Sequence, residues 1–162
     1  MTSRAMAIPA PCRIAAALLA ALTILAFGRY CAAAEIAGVV HSCDGKARIT
    51  RGDTSLPVAP GTKLFVGDVL STGPDATVGV VFRDDSTLSL GPESRLVLRT
   101  FLFSPADREL GLVARLTQGT MAYLSGLLGK LAPEKVRFET PVATIGIRGT
   151  RFAVRAGEPS RQ

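Results

Sequence analysis

The chain has 162 residues, 48% hydrophobic, with 19 basic and 13 acidic side chains and a formal net charge of +6. Three of the basic residues (Arg4, Arg13, Arg29) and none of the acidic ones fall in residues 1–34, so the other 128 residues carry only +3. That bounds the chain to one domain with one core, and so ordinary a charge excess gives no case for nucleic acid.

Residues 1–34 read as a cleavable secretory signal. Arg4 and Arg13 form a positive start, residues 14–27 are uncharged and apolar apart from Thr23, and Ala32-Ala33-Ala34 offers the small residues of a cleavage site. The apolar run is shorter than the roughly 20 residues a membrane-spanning helix needs, so cleavage after Ala34 is expected and no stable span should remain. The mature part, 35–162, is then an exported domain. Cys12 and Cys31 leave with the signal, and Cys43 stays alone. With no disulfide possible within the chain, the fold must rest on its hydrophobic core, and Cys43 is expected to be buried in it.

Turn signals then recur every 8–12 residues, the spacing of short strands in an all-β domain. Residues 36–42 form the first strand candidate, 43–45 a turn, and 46–50 a strand that returns. Residues 51–53 turn the chain again; they spell R-G-D, a tripeptide too short to argue for cell adhesion. Gly67 suits a positive-φ turn, and Asp68 after it can accept hydrogen bonds from neighbouring backbone N–H groups. Val78, Val80 and Phe82, then Leu88 and Leu90, then Leu96 and Leu98 alternate at period two, which predicts a three-stranded antiparallel meander joined by turns at 83–86 and 91–94. Residues 110–116 are a further strand, and 119–131 a strand entering a short helical turn near 124–131, with Leu124, Leu127, Leu128 and Leu131 as a candidate apolar face. Another strand starts at Val136. Residues 140–154 are β-branched and apolar, and Gly146 and Gly149 let the backbone bend there while Thr150 satisfies a backbone group. Beyond the bend, Arg151 and Arg155 share a solvated face opposite Phe152 and Val154. The fold class is therefore all-β: a small β-sandwich or a short β-solenoid of short antiparallel strands.

The residues of a catalytic or metal site are missing from the pattern. His41 is the one histidine, so no histidine pair can hold a metal, and a serine nucleophile would have a single candidate base. The phosphate-binding glycine loop is absent. Asp84 and Asp85 are adjacent carboxylates, fewer oxygens than a hard cation usually gathers. The sequence predicts no enzyme, no cofactor and no metal. Arg148, Arg151 and Arg155 are the candidate contacts to an anionic partner.

Five motifs, in order, carry a family resemblance: G-V-V-H-S-C-D-G-K-A (38–47), G-D-V-L-S-T-G (67–73), V-V-F-R-D-D-S-T-L-S-L-G (80–91), E-S-R-L-V-L (93–98) and T-P-V-A-T-I-G-I-R-G-T-R-F (140–152). Together they resemble the periplasmic domain of the FecR family, named after a regulator of iron-citrate uptake, over nearly all of residues 36–155. The resemblance implies an all-β domain that, in its best-known members, follows an anti-sigma segment and a membrane helix and receives a signal from an outer-membrane transporter. Here a signal sequence stands in place of those parts, so the chain looks like a standalone secreted member. Asp85 stands where the family has glycine. The family also continues past its G-T-x-F strand, where this chain reads as a loop, so either the domain is closed differently or it is shortened at the C-terminus and leaves a sheet edge open. The function expected is non-catalytic: binding a periplasmic or outer-membrane protein, or sensory scaffolding. The alternatives are an envelope-polysaccharide module that uses the basic face, and an accessory part of an iron-uptake signalling system.

Overall fold

The computed structural model describes residues 35–147 and 151–157, so the proposed signal, 1–34, lies outside the described residues. The alternating segments become twelve strands: β1 (Ile36–Asp44), β2 (Ala47–Arg51), β3 (Thr54–Pro57), β4 (Lys63–Phe65), β5 (Val69–Thr72), β6 (Thr77–Phe82), β7 (Thr87–Leu90), β8 (Arg95–Ser104), β9 (Glu109–Leu124), β10 (Val136–Glu139), β11 (Thr144–Gly146) and β12 (Arg151–Ala156). Among the described residues, one short helix, α1 (Leu127–Leu131), and a 3-10 turn (Pro133–Lys135) interrupt them.

The strands form two layers that share β9. One runs β4-β1-β6-β7-β9-β12 and the other β3-β2-β5-β8-β9-β10-β11. Every pairing is antiparallel except β10 on β9. A solenoid stacks its successive coils in parallel, so this arrangement is sandwich-like. β9 serves both layers because it is 16 residues long and turns at Gly119. Its first part, Glu109 to Gln118, pairs with β8, and its last part, Gly119 to Leu124, pairs with β12. Gly119 has φ +88, and a Cβ there would lie 2.4 Å from the Ser94 Cα. Ser94 is itself fixed at the join. Its N–H donates to Thr72 Oγ1 at 2.8 Å, its hydroxyl donates to the Thr120 carbonyl at 3.0 Å, and its Oγ accepts the Thr120 N–H at 2.9 Å.

Inward-facing residues of both layers meet in one core. Val78, Val80, Phe82, Leu88 and Leu90 come from one side and Ile49, Leu70, Leu96, Leu98, Leu112 and Leu116 from the other, all essentially inaccessible to water. Each such side chain contributes about 1.5–3 kcal/mol by burial. Phe82 and Phe101 stack between the layers with centroids 5.4 Å apart.

Two strand pairings differ from those the sequence predicts. β2 does not return against β1; it pairs with β3 and β5 in the other layer. Nor do β6, β7 and β8 form a meander, because β8 leaves β7 to pair with β5 and β9. Period-two alternation fixes which side chains face the core and is silent on which strand lies alongside. The crossings occur at residues in left-handed conformations, Gly45 (φ 79) and Glu93 (φ 49). α1 buries Leu128 alone; Leu127 and Leu131 are exposed and Leu124 belongs to β9. Cys43 is half-buried against the core edge instead of enclosed by it.

Candidate functional site

The G-D turn at Gly67 and Asp68 is a structural lock. Gly67 sits at φ 91, and its N–H donates to the Leu98 carbonyl at 2.7 Å. The Asp68 carboxylate is fully buried and accepts both Nε and Nη2 of Arg51 at 2.8 Å, together with the Phe65 N–H at 2.9 Å. Arg51 also lies over the Phe65 ring, 4.2 Å from its centroid. The hydrogen bond to Asp68 raises the Arg51 pKa above its ordinary value. A fork-to-fork pair with a third bond to backbone is geometrically demanding, so lysine is no substitute. Arg51→Lys should lower stability by about 1 kcal/mol and Asp68→Ala by about 2–3 kcal/mol, read from urea unfolding midpoints. Equal midpoints for both variants and the parent would show that the pair is ornamental.

A second buried group lies at the turn after β6. Asp84 accepts the Ser86 hydroxyl at 2.6 Å and the Leu128 N–H at 3.1 Å, and its carbonyl accepts the Leu127 N–H at 2.7 Å. It therefore holds the start of α1. Asp85 beside it is exposed, at φ 61. The two acids are thus split between an internal bond network and a strained turn, and among the described residues no group of three metal-ligating side chains forms. Tyr123 packs against the same turn. Burial pushes its pKa up to about 12, a rise that the nearby Ser86 hydroxyl partly offsets, yet the Tyr123 hydroxyl makes no well-formed hydrogen bond. A buried, unpaired hydroxyl is a net cost. Tyr123→Phe should be as stable as the parent, or up to about 1 kcal/mol more stable, near neutral pH. A tyrosine whose folded pKa is raised favours the folded state fully below its unfolded pKa of 10.0, and loses that advantage as pH rises toward about 12. The parent should accordingly lose about 1 kcal/mol relative to Tyr123→Phe by about pH 11. Parallel unfolding curves across that range would contradict this.

The candidate interaction residues fall at the end of the chain. Arg151, Ala153 and Arg155 are exposed on one face of β12, while Phe152 and Val154 turn toward the core, with Phe152 meeting Tyr123 and Phe138 at 5.8 and 5.0 Å between centroids. Gly146 ends β11 opposite Arg137, without a left-handed φ and with open space where a Cβ would go. Arg148, Gly149 and Thr150 lie outside the described residues. The structure brings Arg151 and Arg155 together on one surface and leaves the Gly67–Asp68 turn apart from it, in the β4–β5 connection. Beside the arginines, the outer face of the first layer carries a groove of about 560 Å³ over β1, β6, β7, β9 and β12. Sequence reasoning missed this groove, because its floor is made of serine, glycine and alanine from five separate strands. It also missed Arg51, which lies 17 residues before its partner Asp68.

No helix among the described residues is long and apolar enough to cross a membrane. The described residues form an all-β sandwich with a groove and two arginines on one face. The family described as FecR protein matches residues 68–161, more than half of the chain, and the chain belongs to that family. The match begins at Asp68 and so omits β1 to β4, where the first resembling motif lies. No curated protein and no solved structure matches the chain.

Proposed function

We propose that the chain is an exported FecR-family domain of the bacterial periplasm that works without catalysis, by binding another protein's extended segment. One observation carries this reading: among the described residues β12 pairs with β9 alone, so its other edge presents backbone donors and acceptors. Such an edge takes an added strand through main-chain hydrogen bonds, with alternate side chains supplying selectivity. A periplasmic segment of an outer-membrane transporter is one partner of that form, and with it the domain would act as an accessory part of iron-uptake signalling. The exposed pair Arg151 and Arg155 supports a second reading, in which an acidic envelope polysaccharide binds the basic face. Salt separates the two. Strand addition should change little between ~0.05 and ~0.5 M salt, whereas charge-driven polymer binding should fall steeply as screening shortens the field. The measurement is a binding titration against candidate periplasmic segments and against an acidic glycan. Steep salt dependence, with loss of binding in Arg151→Ala/Arg155→Ala, would overturn the strand-addition reading.

A further inference from the structure

The outer face of the first layer is not an ordinary solvated sheet surface. Its middle row runs in register across five strands: Ser42 opposite Gly79, Gly79 opposite Ser89, Ser89 opposite Ala122, Ala122 opposite Ala153. No charged or long side chain stands in that row. The row beside it, on one flank, is Val39, Val81, Thr87 and Leu124 before it reaches Arg151, with Val39 and Leu124 about 40% exposed. The outer face of the other layer shows the usual alternative. There Arg48, Ser71, Arg95 and Gln118 form the equivalent row, and Arg99 pairs with Glu139. Sheet faces left in water carry such polar and charged side chains. A row of small residues flanked by exposed aliphatics instead suits close approach of a second flat surface.

On the other flank, Asp44 stands opposite Thr77 at the β1 side and Arg155 opposite Thr120 at the β12 side. Acid and base thus mark opposite ends of one face. A two-fold axis lying along β7 would turn this face onto its own copy, placing β1 over the partner's β12 and β6 over the partner's β9. Asp44 would then meet Arg155 of the partner subunit, twice by symmetry, while Gly79 would lie against the partner's Ala122 and Val81 against the partner's Leu124. Such an isologous contact pairs opposite charges at one flank and aliphatic side chains at the other, where Arg151 lies over the partner's Val39. We infer that this protein forms a symmetric dimer through the outer face of its β4-β1-β6-β7-β9-β12 layer. The inference is independent of strand addition at the β12 edge, which this contact leaves open.

The face is about 20 Å across at ~4.8 Å per strand, a small contact, so association should be weak and concentration-dependent. The test is sedimentation velocity of the full chain from about 1 to about 200 µM, a range that brackets a micromolar dissociation constant. Four variants go with it: Asp44→Arg, Arg155→Asp, the two together, and Ala122→Trp. Asp44, Arg155 and Ala122 are exposed, so the substitutions should leave the fold intact, and a thermal melt of each variant is the control. Each single charge reversal should weaken the dimer by about tenfold or more, and the double reversal should restore it. Ala122→Trp should give a folded monomer, because the indole holds the two sheets apart. A monomer at every concentration overturns the inference. So does association indifferent to all four variants, as expected if the apolar segment 14–27 drives it. A monomeric parent that binds poly-glutamate through Arg151 and Arg155 would likewise overturn it, and would assign the face to an acidic partner.

Discussion

Gly119→Ala is expected to remove a large share of the stability of the domain. The methyl group meets two penalties at once. At φ +88 an alanine is strained by about 1–2 kcal/mol. Its Cβ would also lie 2.4 Å from the Ser94 Cα and 2.7 Å from the Glu93 carbonyl oxygen, contacts that only backbone movement can relieve. Overpacking of that kind costs about 1–3 kcal/mol, and here it strikes the single strand that joins the two layers. The sum, about 2–5 kcal/mol, is a large share of the 5–15 kcal/mol typical of a whole domain. Two other glycines serve as internal controls. Gly52 has φ +55 but nothing within 4 Å of a Cβ, so Gly52→Ala should show the conformational cost alone, about 1 kcal/mol. Gly146 has neither a left-handed φ nor a neighbour, so Gly146→Ala should be close to neutral. Thermal melts followed by circular dichroism rank the three. If Gly119→Ala melts with Gly52→Ala, the close approach to Ser94 is not the constraint described above.

The same comparison shows what a sequence can disclose about this fold. Alternation at Val78, Val80, Phe82, Leu88, Leu90, Leu96 and Leu98 identified core side chains, because facing is a local property of an extended chain, and all seven are buried. The pairing of β8 with β5 and β9 was not legible. It depends on the crossing at residues 91–94, where Ser94 is held by Thr72 and Thr120, 22 and 26 residues away in sequence. The Gly67 turn was legible because a glycine before an aspartate has a local conformational meaning. Its partner Arg51 was not, since a charge pair carries no spacing rule outside a helix. The groove on the outer face illustrates the limit most plainly. Ser42, Gly79, Ser89, Ala122 and Ala153 are unremarkable one at a time, and only the register of five strands makes them a surface. The alternation of Arg151 and Arg155 against Phe152 and Val154 was legible, because it lies within one strand.

Adjacent acids with opposite effects give the last test. Asp84→Ala should destabilise the protein by about 3–4 kcal/mol, whereas Asp85→Gly should stabilise it by about 0.5–1 kcal/mol. Asp84 is completely buried, and its carboxylate accepts bonds from the Ser86 hydroxyl and the Leu128 N–H. Truncation leaves both donors without that acceptor in the protein interior, at about 1–3 kcal/mol each. Asp84→Asn should recover only part of the loss. An amide has one oxygen to offer donors from two residues, so its NH₂ group must face either Ser86 or Leu128. Nor can backbone movement easily restore the contact, because Gly126 packs so tightly here that a Cβ would lie 2.1 Å from the Asp84 carbonyl oxygen. Asp85 contributes no such bond and holds φ 61, a conformation glycine adopts without strain. If the pair were instead a cation site, both substitutions would act in the same direction in the presence of calcium or magnesium, and adding either ion would raise the melting temperature of the parent. Opposite signs, unchanged by added ions, would establish that the acid pair anchors α1 to the turn after β6.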